Sequence, residues 1–176
     1  GLGSDVINRA ATASLPHLLA EFPSLQAIHI TGKNHFDDLN TEYETHLSKP
    51  LLDRIKLFDF TSDVYTYSGA SDLIVTRAGA TNLAEFSVQG KACIIVPSPF
   101  LTSGHQLKNA GFYRDKRAAV VLDNDALEQD PLRLARQVSD LLQNPQHITE
   151  LAMNISKLSR AGGADEIAEL ITKTAR

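Results

Sequence analysis

Apolar residues recur along this chain at two alternating intervals. Between residues 5 and 21, Val6, Ile7, Ala10, Ala11, Leu15, Leu18 and Leu19 fall at the three-and-four spacing of a helix with one buried face, and Ser4 stands where an N-cap belongs. Pro16 lies inside that pattern, and its missing N–H predicts a kinked or split helix. Residues 25–31 read as a short strand, followed by Gly32 and a polar helix near 36–47; residues 54–60 form the next strand. A short helix over 64–68 precedes a strand at 72–76 and a helix ending near Gly90. Residues 92–97 are a fully apolar strand, 106–115 a helix and 118–122 another buried strand, after which helices over 132–143, 146–159 and 165–175 complete the pattern.

Strands rich in Val, Ile and Leu that alternate with helices indicate an α/β fold, a Rossmann-like parallel sheet with helices on both faces. Ligands of such sheets bind outside the carboxyl ends of the strands. Four loops are therefore expected at one rim: residues 1–4, 60–63, 77–81 and 98–106. No repeat, linker or low-complexity tract divides residues 1–176, which read as one domain. The chain opens directly on a helical pattern, and a strand is expected upstream of it, as part of a larger protein.

The segment Thr76-Arg77-Ala78-Gly79-Ala80-Thr81-Asn82-Leu83-Ala84-Glu85 carries the most chemistry. A buried strand runs into a turn with little side chain, and the helix that opens next offers unpaired amides and a positive dipole end to a phosphate. Glu85 follows Thr81 at i,i+4, about 6 Å along the helix axis, where a carboxylate can accept from a ribose diol. The same residues also suit an ordinary strand-to-helix turn with a solvated carboxylate. The loop 98–106 is long for its place and ends on His105 and Gln106, an imidazole and an amide able to address sugar hydroxyls as donor and acceptor; plain helix capping is the competing reading. Gly1 and Gly3 leave room for a phosphate at the first helix, and the backbone of 60–62 offers donor and acceptor groups to a pyrimidine edge.

Charge and composition narrow the field. Seventeen basic against 21 acidic residues give −4, which speaks against a general electrostatic hold on nucleic acid or anionic lipid. The lone Cys93 cannot pair within the chain and sits in an apolar strand as a small core residue, consistent with a reducing, cytoplasmic setting. No stretch approaches the roughly 20 apolar residues that cross a bilayer. The six histidines show no metal-ligand spacing, His29 reading as a satisfied interior or edge residue, and there is no Gly-x-Ser-x-Gly elbow. No metal or cofactor is expected.

Taken in order, these segments resemble the carboxyl-terminal domain of the MurG family, bacterial glycosyltransferases that add N-acetylglucosamine to lipid I. The resemblance runs through Gly1-Leu2-Gly3-Ser4-Asp5-Val6-Ile7-Asn8, Phe60-Thr61-Ser62-Asp63-Val64, Ser71-Asp72, the Arg77 to Glu85 motif, Val96-Pro97, and His105-Gln106-Leu107-Lys108-Asn109-Ala110. It implies one half of a GT-B enzyme that binds UDP-N-acetylglucosamine. Glu85 would hold the ribose hydroxyls and the Thr61 backbone the uracil; Gly3, Ala80 and Thr81 would line the diphosphate; His105 and Gln106 would contact the sugar. The general base and the lipid I partner are expected from the amino-terminal domain, absent here, and a peripheral contact with the cytoplasmic membrane face is expected in the full-length protein. The pattern departs from the family at Gly1, Ala78 and Asn82, where serine, serine and threonine are more usual, which bears on the diphosphate contacts. A different UDP-sugar transferase or epimerase of the same architecture, or a non-catalytic nucleotide-binding subunit, are the alternatives.

Overall fold

The computed structural model describes residues 3–99, 104–159, 168 and 171–174. Helix α1 (Asp5–Glu21) begins as its sequence indicates, with the Ser4 hydroxyl accepting from Ile7 N at 3.4 Å. It is not split at Pro16: one lost N–H is outweighed by burial of Ala10, Ser14, Leu18 and Leu19 along the same helix. The carbonyls of Leu19 in its last turn and of Phe22 and Pro23 just beyond it accept from the Arg54 guanidinium.

Strand β1 (Ala27–Ile30) leads through a single 3-10 turn (Lys33–His35) into α2 (Phe36–His46), and the short α3 (Lys49–Leu52) precedes β2 (Ile55–Phe58). Then follow α4 (Val64–Ala70), β3 (Leu73–Thr76), α5 (Ala80–Val88), β4 (Ala92–Ile95), α6 (His105–Asp115) and β5 (Val120–Val121). Three helices, α7 (Asn124–Gln129), α8 (Arg133–Leu142) and α9 (Pro145–Ser156), come after. The segment expected to be a helix over 165–175 lies largely outside the described residues, of which 171–174 are helical.

Every strand pairing is parallel, as expected. Among the described residues the ladders are two, β1–β2 and β3–β4–β5, where a single sheet was expected. Strand β4 is the centre of the larger one, with all four residues buried. Because successive side chains of a strand point to opposite faces, Ala92, Ile94 and Val96 pack with α1, α7 and α8, while Cys93 and Ile95 pack with Leu83 and Phe86 of α5 and Ala110 of α6. Each buried Ile contributes about 1.5–3 kcal/mol to this two-sided core. Burial also pushes the Cys93 thiol up to about 12, so it is an inert packing residue.

Gly3 fixes how α1 meets the sheet. It holds φ +81°, and a Cβ there would stand 2.0 Å from the Thr31 carbonyl oxygen. Only glycine can enter the helix this close to the carboxyl end of β1.

Candidate functional site

The carboxyl ends of β3 and β4 and the start of α6 are stitched together by side chains. Arg77, the first residue beyond β3, gives its Nη1 to the Val96 carbonyl at 3.1 Å and to Asn124 Oδ1 at 2.7 Å, so one guanidinium ties the ends of both strands to the start of α7. Its half-burial lowers its pKa below the ordinary arginine value through desolvation, and it stays charged at neutral pH. Asn109 of α6 donates to the Ala78 carbonyl at 3.0 Å. Gln106 Oε1 accepts from Ser98 N at 2.8 Å. Those bonds hold the 77–80 turn and the first turn of α6 against one another.

Between them lie two helix starts without side-chain caps. Gly79 precedes α5 with φ −69° and ψ 127°, ordinary N-cap angles, and a Cβ there would meet nothing within 4 Å. Gly104 precedes α6 in the left-handed region at φ 63°, again facing open space. The first amides of both helices are thus donors looking for an acceptor, each backed by a positive dipole end. Ala80 and Thr81 are exposed at the α5 start, and Glu85 lies half-buried one turn on, its carboxylate without hydrogen bond or ion pair among the described residues. His105 is exposed at the α6 start. The Gln106 carbonyl is turned to Ser98, which leaves its amide N–H groups to donate to a ligand.

Ala80, Thr81, Glu85, His105 and Gln106 are therefore held on neighbouring helices that pack on one ladder. Gly3 and Thr61 belong to the other. Gly3 lies at the end of β1, and Thr61 lies beyond β2, where its hydroxyl accepts from Asp63 N at 3.0 Å to shape the turn into α4. Lys33 stands 5.8 Å over the Phe60 ring, so the 60–63 turn and the loop after β1 are neighbours. Among the described residues no hydrogen bond joins this pair of loops to the α5 and α6 starts. The start of α1 suits an anion less than that of α5, because Ser4 already caps it and Asp5 adds negative charge in the first turn.

Sequence reasoning missed Asn124 as the partner of Arg77, and nothing local marks it. It also left open which end of the Gln106 amide is free. Elsewhere, a shallow groove lined by Ser71, Asp72, Lys91 and Met153 lies at the opposite, amino end of β3 and β4, away from these loops. Among the described residues no helix is long and apolar enough to cross a membrane, and no group of three or more His, Cys, Asp and Glu could hold a metal.

Comparison with known proteins bears on this rim. The glycosyltransferase family 28 C-terminal domain profile matches residues 1–171. A protein of Geobacter sp. (strain M21), named UDP-N-acetylglucosamine–N-acetylmuramyl-(pentapeptide) pyrophosphoryl-undecaprenol N-acetylglucosamine transferase, is 32% identical over 172 residues, which is 97% of this chain and 44% of that protein. The protein of the same name from Natranaerobius thermophilus is 28% identical over 96% of this chain and 45% of its own length. Among solved structures, Acinetobacter baumannii MurG superposes with a TM-score of 0.76 at 25% identity, covering 98% of this chain and 47% of that one. The chain thus spans under half the length of these relatives.

Proposed function

The chain belongs to the family of glycosyltransferase family 28 C-terminal domains, and from that membership we propose that it is the donor-binding half of an inverting transferase. The transfer proposed is of N-acetylglucosamine from UDP-N-acetylglucosamine to the C4 hydroxyl of a lipid-linked MurNAc-pentapeptide, lipid I, yielding lipid II for peptidoglycan. The observation that carries this reading is the α5 start: an uncapped helix N-terminus behind a small-residue turn, with Glu85, which has no partner among the described residues, about one turn further in. A diphosphate fits the first feature and a ribose diol the second.

In this reading Ala80 and Thr81 line the diphosphate, with Gly3 contributing from the neighbouring loop. Glu85 accepts from the ribose hydroxyls, the Thr61 backbone meets the uracil, and His105 and Gln106 address the sugar. As the bond to the anomeric carbon breaks, charge grows on the departing UDP, and helix amides stabilise it in place, already oriented. The general base, the acceptor groove and a peripheral contact with the cytoplasmic face of the membrane are assigned to a companion domain. This chain alone then binds the donor and transfers nothing.

Titration calorimetry with UDP tests the reading. Binding is expected, and Glu85→Ala should weaken it about 10- to 100-fold, the loss of one or two charge-assisted hydrogen bonds, with unchanged far-UV circular dichroism. No heat at millimolar UDP sinks the nucleotide assignment; unchanged affinity in the variant sinks the role of Glu85.

A further inference from the structure

The turn that opens α5 has little of its own to hold it. Ala78, Gly79 and Ala80 carry at most a methyl group, no side chain caps the helix, and a Cβ on Gly79 would meet nothing within 4 Å. Its direction is set from outside, by Asn109 on the Ala78 carbonyl and by the side chain of Arg77. Arg77 leaves the end of β3, donates to the Val96 carbonyl at the end of β4, and stops at Asn124, two residues past the Leu122 amide that bonds Ile95 of β4. Two strand spacings are about 10 Å, a span that asks for the longest side chain available.

Asn124 is 3% exposed at the first position of α7, and both ends of its amide are used. Nδ2 donates to Asp125 Oδ1 at 3.1 Å, which fixes Oδ1 as the end that accepts from Arg77 at 2.7 Å. That acceptor is close but neutral. Arg77 makes no ion pair among the described residues, and desolvation alone lowers its pKa, with no carboxylate to offset it. Of the five N–H groups of a guanidinium, the two on Nη1 are spent; those on Nε and Nη2 have no partner among the described residues and are not sealed from solvent. An aspartate at 124 would cancel the charge within the protein, whereas the amide orients the guanidinium and leaves its charge free to act on an anion nearby. The nearest helix start is that of α5: Ala80 is three residues on, so its Cα is at most about 11 Å from that of Arg77.

We propose that Asn124 is a positioning residue for the diphosphate: by holding Arg77 with a neutral acceptor, it aims the α5 amides and keeps an uncompensated positive charge behind them. The identity of the anion rests on the proposed function; the uncompensated charge and its neutral holder do not. Asn124, itself buried, acts through Arg77 alone.

Comparing UDP with uridine isolates the phosphates, and nuclear magnetic resonance titration gives both affinities for the parent chain, Asn124→Leu and Asn124→Asp. The parent should prefer UDP. In Asn124→Leu the guanidinium loses its acceptor, and UDP affinity should fall about 10-fold while that for uridine stays within about twofold. Asn124→Asp keeps an oxygen in place and should hold Tm, yet its ion pair cancels the charge, so UDP should again weaken about 10-fold or more and uridine not at all. A role confined to stability would lower Tm and leave the preference for UDP over uridine as it was. The assignment is overturned if either variant keeps the parent's preference; should Asn124→Leu fail to fold, Asn124→Asp decides. A parent chain that binds UDP no better than uridine overturns the phosphate site of the proposed function and the role of Asn124 with it. A parent that prefers UDP beside a variant that prefers it equally removes Asn124 alone.

Discussion

His29 sits on the inner face of β1 with both ring nitrogens engaged, Nδ1 at 3.0 Å from the Tyr43 hydroxyl and Nε2 at 3.0 Å from Asn8 Oδ1. Asn8 spends its Nδ2 on the Thr31 carbonyl, so its Oδ1 can only accept; the ring proton is therefore on Nε2, and Nδ1 accepts from Tyr43. The expectation of a satisfied interior histidine is met, and burial lowers its pKa from 6.5 to about 4. The sign follows from linkage: the unfolded chain takes up the proton first as pH falls, so this neutral ring's contribution is complete above about pH 6.5 and is lost between there and about pH 4. The loss should total about 3 kcal/mol. Urea unfolding across that range should show it, and a His29→Gln variant, already less stable at pH 7, should have a flatter profile. A slope identical to that of the parent chain would remove His29 as the cause.

At the scale of the element, the α5 start sets stability against binding. Among the described residues three helices close their first turn with the side-chain oxygen of the residue before them: Ser4 for α1, Asp123 for α7 through Ala126 N at 2.8 Å, Asn144 for α9 through His147 N at 3.3 Å. Gly79 leaves α5 without one, although its angles and the open space around it would accept any side chain. A side-chain cap in place of a glycine is worth a few tenths of a kcal/mol. Gly79→Asp should therefore raise thermal stability slightly, by about that amount, while its carboxylate occupies the amides and repels a phosphate, cutting UDP affinity at least about tenfold. Calorimetry beside thermal denaturation checks both halves; a variant that binds UDP as before would show that the phosphate lies elsewhere. The small-residue turn and helix start were readable from Ala78-Gly79-Ala80 alone. Two short helices went unread although their start signals were present, Ser48 with Pro50 at α3 and Asp123 at α7, because their apolar patterns are too brief to show a period.

Across the whole molecule, stability should be unevenly spread. Strand β4 is walled by helices on both faces and by a strand on each side, whereas the β1–β2 ladder keeps half-exposed residues and is anchored mainly through α1 and α2. Native-state hydrogen exchange should find the β4 amides opening only with global unfolding, and those of Lys56 and Phe58, which face β1, opening at a free energy about 2 kcal/mol or more below it. Equal protection would mean that the two ladders unfold as one unit.

Periodicity, capping residues and turn chemistry are properties of neighbours in the chain. They sufficed to establish the alternation of parallel strands with helices, an α1 of the observed length, and which loops follow strand ends, Glu85 behind Thr81 among them. What they could not reach depends on residues far apart. Whether α1 breaks at Pro16 was decided by the core it is buried in, and the number of ladders by which strands found partners. Which polar groups are left for a ligand was decided the same way: Ser98 claims the Gln106 carbonyl and Ala78 claims Asn109, while Glu85 and His105 find no partner among the described residues. Hydrogen-bond satisfaction is settled only when the chain folds, because each donor is satisfied or stranded by an acceptor the local sequence does not contain.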